Sequence, residues 1–99
     1  MNENKKLRLL KEFKEMVDNK EFFAKPGEEF NGNKGCIIWT SAEEWAFKEV
    51  VEGIECKYPL ADYYDKMEGY KRFNDWLNKK GLTWEWYDPG TIMIYEEVA

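Results

Sequence analysis

Few residues in this chain could do covalent or acid–base chemistry. Among its 99 residues there is no histidine. That removes Ser–His and Cys–His nucleophile pairs, imidazole general bases and most zinc sites. Cys36 and Cys56 alone cannot complete a structural zinc tetrahedron. In a reducing compartment two thiols so placed are expected to be free and buried. Glu85, between Trp84 and Trp86, is the carboxylate whose neighbours most favour desolvation and a raised pKa, and Asp88 follows shortly. Nothing in the spacing puts both in one site. No phosphate-binding Gly-rich loop, dinucleotide fingerprint or calcium loop occurs. The chain is therefore read as not an enzyme, with no cofactor and no metal site.

The remaining side chains favour binding. On a helix over residues 41–52, Phe47, Val50, Val51 and Ile54 share an apolar face, and Trp45 falls roughly opposite, on a stripe with Glu49 and Glu52. An exposed Trp among carboxylates has the composition of an interface anchor with an acidic rim. The plainer alternative is a Trp covered by the segment 20–35. Glu44 joins this candidate set. Tyr64 does too, since only one of the adjacent Tyr63 and Tyr64 can face the core of a helix. Trp84, Trp86 and Tyr87 form a second candidate, an aromatic platform for a carbohydrate or a peptide. Against it stands ordinary cross-strand packing over a core. Strand alternation puts Trp84 and Trp86 on one face and Tyr87 on the other, so these residues are read first as closing a sheet.

Charge narrows the class of partner. The formal net charge is −5, distributed as +2 over residues 1–27, −6 over 28–68 and −1 over 69–99. Only Arg8 and Arg72 among the 15 basic residues are arginines, whereas nucleic-acid surfaces concentrate basic charge and favour Arg. Direct nucleic-acid binding is not expected. No run reaches the roughly 18–20 apolar residues of a membrane span, and the charged start lacks a signal-peptide core. A cytoplasmic location and no membrane contact are expected. The Lys-rich, Arg-poor usage fits a bacterial or phage origin.

Several elements must position these residues. Leu9, Leu10, Phe13, Met16 and Val17 follow helical spacing, predicting a helix at about 4–19. Residues 20–35 read as a packed connection with turns at Lys25-Pro26-Gly27 and Asn31-Gly32. Cys36–Thr40 is a short buried strand. Ser41-Ala42-Glu43-Glu44 matches the capping box, in which Ser and Glu satisfy each other's backbone N–H groups, and predicts a second helix to about Glu52. A strand at Ile54–Tyr58 competes with its continuation. A third helix is predicted at about 60–80, ending at Lys79-Lys80-Gly81. A C-terminal hairpin, Leu82–Tyr87 and Thr91–Glu96, turns at Asp88-Pro89-Gly90. A simple loop pairs Trp86 with Met93, and a bulged one pairs Trp86 with Ile92.

The expected fold is one α+β domain over 1–99, three helices on a small, mainly antiparallel sheet, in the order α-β-α-α-β-β. The expected function is a small acidic protein-binding module. It would be an inhibitor, immunity factor or accessory protein of the kind carried by a phage or mobile element, occluding a basic surface on a partner protein. A carbohydrate- or peptide-binding domain is the alternative.

Overall fold

Asn2 accepts a hydrogen bond from the Lys5 N–H at 2.8 Å and so caps the first helix, α1, Glu3–Met16. A computed structural model describes residues 1–29, 35–62 and 70–97 of the chain. The apolar stripe of α1 buries Leu9, Leu10 and Phe13. Val17 then turns extended (φ −73°, ψ 137°), ending the helix short of residue 19. Six strands follow: β1 (Ala24–Pro26), β2 (Cys36–Ser41), β3 (Trp45–Val51), β4 (Ile54–Pro59), β5 (Leu82–Asp88) and β6 (Thr91–Glu96). A second helix, α2 (Lys71–Lys80), lies between β4 and β5.

The α+β class and antiparallel pairing stand, but the expected three helices and their order do not. The described residues hold two helices and two sheets, one ordered β1-β2-β6-β5 and one made of β3 and β4 alone. The helix predicted over 41–52 is a hairpin arm. Ser41 Oγ does accept the Glu44 N–H, at 3.3 Å, as a capping box requires. Here that bond closes the turn between β2 and β3. The following Trp, Phe, Val, Val, Ile and Tyr residues are strand formers, and Glu52-Gly53 makes a two-residue turn where a helix terminator was expected. The helix predicted from residue 60 begins only at Lys71, after an extended Tyr70 (φ −82°, ψ 143°). Its Lys79-Lys80-Gly81 ending is as predicted, with Gly81 left-handed at φ 69°. Residues 63–69, and with them Tyr64, lie outside the described residues.

The C-terminal hairpin takes the bulged register: Trp84 opposes Ile94, Trp86 opposes Ile92, and the shift falls between Trp86 and Asp88. This register puts both tryptophans on the side of the sheet that carries the buried Ile92, Ile94 and Ile38. Both helices contribute to that core. Phe13 of α1 meets Phe73 edge-on at 6.0 Å and Trp76 at 5.7 Å, and Trp84 and Trp86 pack partly buried at its margin. Asp88 accepts from the Gly90 N–H at 2.9 Å and the Thr91 hydroxyl at 2.8 Å. The Thr91 hydroxyl and then the Gly90 N–H hold its carboxyl below the usual range.

Gly27 shows how tightly the first connection packs. It opens a 3₁₀ turn, Gly27–Glu29, pressed onto β2, and a Cβ there would lie 2.1 Å from the Cys36 carbonyl oxygen. Backbone must move to admit any side chain. Gly27→Ala is expected to lower stability by about 1–3 kcal/mol, read as a shifted urea midpoint with unchanged slope. An unshifted midpoint would show that this contact is loose.

Candidate functional site

The β3–β4 hairpin is set apart from the rest of the molecule by its pairing and its exposure. It forms its own two-stranded sheet, and such a pair is marginal without packing from elsewhere. Its root is bound to the body in two layers. Asn19 Nδ2 donates to the Trp45 carbonyl at 2.9 Å, and the Asp18 N–H donates to the Ala46 carbonyl at 2.8 Å. The Lys48 N–H in turn donates to Asp18 Oδ2 at 2.7 Å. These bonds straddle the bulge between Trp45 and Phe47. On the other layer Phe47, fully buried, stacks on Tyr70 at 4.9 Å, and Tyr70 stacks on Tyr58 at 5.2 Å.

Arg72 joins the two layers. Its guanidinium lies 4.4 Å from the Phe47 ring centre, pairs with Asp18 at 3.2 Å and donates to the Met16 carbonyl at 3.0 Å. Burial raises the Asp18 carboxyl, but the Lys48 N–H and the Arg72 guanidinium outweigh it and leave Asp18 below its usual value.

Beyond this root the hairpin is exposed. Val50, Val51 and Ile54 are 71%, 47% and 66% exposed, and Glu52, Gly53 and Glu55 beside them are exposed too. Val51 opposes Ile54 and Val50 opposes Glu55, so apolar side chains emerge on both faces of the tip. Both turn residues have positive φ, Glu52 at 51° and Gly53 at 80°, as a type I′ hairpin turn needs. Gly suits that conformation. Glu does not, and a non-Gly residue there carries about 1–2 kcal/mol of strain.

The predicted partner-binding residues do not gather into one patch. Trp45 is half-buried on a strand, with the Lys57 and Lys48 ammonium groups 4.8 and 5.4 Å from its ring centre. Its immediate surroundings are thus cationic, not acidic. Glu49 lies on the opposite layer and accepts from the Tyr70 hydroxyl. Glu44 accepts from the Phe23 N–H at 3.2 Å. Glu52 alone stands at the tip, about 20 Å from Trp45 at strand rise. Tyr64 is outside the described residues. Sequence reasoning missed Val50, Val51 and Ile54 as surface residues. The signal that finds them is an X-Gly pair between β-branched residues, a hairpin turn signature.

The other predicted platform is divided as well. Trp84 and Trp86 meet edge-on at 5.2 Å on the core side, whereas Tyr87 is 50% exposed. Glu85 is exposed, on the strand position between the two tryptophans. Cys36 is a buried free thiol, pushed up by burial and donating to the Ile38 carbonyl, and Cys56 is free and half-buried. Among the described residues no three Cys, Asp or Glu side chains gather in metal-binding geometry. Among them also, no helix is long and apolar enough to cross a membrane. No family model, curated protein or solved structure matches the chain.

The Asp18 anchor sets a pH dependence. Because the folded carboxyl is lowered, its stabilisation is complete above the unfolded value, near 3.9, and is lost as pH falls through the folded one. Asp18→Asn is expected to melt below wild type at pH 7, with the gap closing as pH falls below about 4. Circular-dichroism melts from pH 7 to pH 2.5 test this, and a gap independent of pH would refute the charged anchor.

Proposed function

We propose that the chain is a small protein-binding module, an inhibitor, immunity factor or accessory protein, that inserts the tip of its β3–β4 hairpin into an apolar groove rimmed by basic residues on a partner. The supporting observation is the cluster of Val50, Val51 and Ile54 held in solvent on an anchored hairpin. Three large aliphatic side chains together at one exposed turn mark an interaction site more readily than scattered surface residues do. Their flanking Glu52 and Glu55 carboxylates suit a basic rim, which speeds encounter and rejects acidic surfaces.

The strain at Glu52 supports the same reading. Asn or Gly would fit its conformation better, so the carboxylate costs stability while pairing with no other described residue. A residue kept against its own backbone preference points to a use outside the fold. Relative to the sequence expectation, the acidic aromatic face built on Trp45 gives way to an acidic aliphatic tip. The partner class, a protein with a basic surface, stays the same.

Val50→Asp and Ile54→Asp are expected to leave the melting temperature within a degree or two, as surface changes do. Each should weaken the partner complex by about 2 kcal/mol or more. Affinity capture from the native host, comparing wild type with each variant, checks this; a captured set unchanged by both substitutions would end the assignment of the tip. Glu52→Asn is expected to raise stability by about 0.5–1 kcal/mol while slowing association with that partner at low salt. Loss of stability in a urea titration would contradict the strained turn.

A further inference from the structure

A second surface lies at the far end of the sheet. β5 is an outer strand of the order β1-β2-β6-β5. The Glu97 N–H donates to the Gly81 carbonyl at 3.0 Å, which makes residues 81 and 97 a hydrogen-bonded pair. Antiparallel ladders alternate, so the backbone groups of Thr83 and Glu85 point toward β6. Those of Leu82 and Trp84 point away from it, along the outer edge. Beside that half of the edge, between α2 and β5, runs a cleft of about 330 Å³. Asn74 and Asn78 line it from one turn of α2 to the next, Thr83 and Trp84 from β5, and Glu97 from beyond β6.

The lining is equipped for a polar chain. The side chains of Asn78, Thr83 and Glu97 make no hydrogen bond to other described residues, and each is exposed. Trp84 is half-buried and held rigid, its ring 6.3 Å from Phe73 and 5.2 Å from Trp86. An outer strand whose outward backbone groups, here those of Leu82 and Trp84, meet no other described residue, next to a helix and a cleft, is the geometry by which a sheet accepts an added strand. Alternate side chains of such a strand would enter the cleft against Trp84. Glu97, the charged residue of the lining, is complementary to a basic side chain.

We propose that this cleft and the outer edge of β5 bind an extended peptide segment of a partner protein as an added strand. The Leu82 and Trp84 backbone groups pair with the peptide, Asn78 bonds to its exposed amides, and a Lys or Arg of the peptide reaches Glu97. This site is independent of the β3–β4 tip, so a chain using both would bridge two proteins.

The test uses a surface-displayed random decapeptide library selected on the full chain. Enriched peptides should alternate β-branched residues with polar ones and carry at least one Lys or Arg. In ¹⁵N–¹H spectra they should shift the Leu82 and Trp84 amides and protect them from exchange. Asn78→Trp, which fills the cleft from an exposed helical position, and Thr83→Lys, which repels a basic peptide, should each weaken binding at least tenfold. Val50→Asp should change it less than twofold. Melting curves confirm that the variants fold. The proposal is overturned if no peptide is enriched, if both cleft variants bind as wild type does, or if the shifts fall at residues 50–55. It is also overturned if a panel of mono- and disaccharides moves the Trp84 resonances while peptides do not.

Discussion

The contact between the end of α1 and the bulge of β3 holds the molecule's two sheets in one structure. A bulge leaves backbone groups out of the ladder, and Asp18 and Asn19 supply partners to the stretch around it through the Trp45 and Ala46 carbonyls and the Lys48 N–H. The same bulge turns Trp45 away from Phe47, giving each of the hairpin's layers an aromatic anchor. Phe47 goes to the core and to Tyr70. Trp45 goes to the two lysines. Arg72, from α2, then binds the end of α1 and the Phe47 ring together. A hairpin too small to be stable alone is in this way made rigid at its base and left uncovered at its tip.

What was legible in the sequence depended on whether one local pattern had one meaning. The stripe Leu9, Leu10, Phe13 is helical on any reading, and α1 followed it. Cys36–Thr40 was too short and too β-branched for a helix, and it is β2. The Asp-Pro-Gly turn guaranteed a hairpin, though only the structure chose the bulged register. Residues 41–59 carried a degenerate signal. The Ser41–Glu44 hydrogen bond serves equally to cap a helix or close a turn. The spacing Phe47, Val50, Val51, Ile54 satisfies a helical face while also fitting two short strands. Intrinsic strand preference and the Glu52-Gly53 turn decided between them, and both are weaker signals than periodicity.

That one reversal moved the candidate site. On a helix Trp45, Glu49 and Glu52 share a stripe. On a bulged strand they lie on two layers and at two ends, with Trp45 beneath lysines and Glu49 bound by Tyr70. The charge asymmetry seen in the sequence survives, because it belongs to the segment 28–68 and not to its conformation. That Glu52 would stand at a hairpin tip could not be inferred without knowing which residues turn.

Strand order also governs how the molecule is built as it is synthesised. β6 follows every other strand among the described residues, yet it lies between β2 and β5. The large sheet therefore has no centre until its last strand has emerged, and β2 must wait across roughly fifty residues for its partner, the kind of separation that slows folding. β3 and β4, joined by two residues, can pair on the microsecond scale of a hairpin. On a growing chain the projecting arm can form before the body that holds it, leaving its apolar tip in solvent while the core is still open.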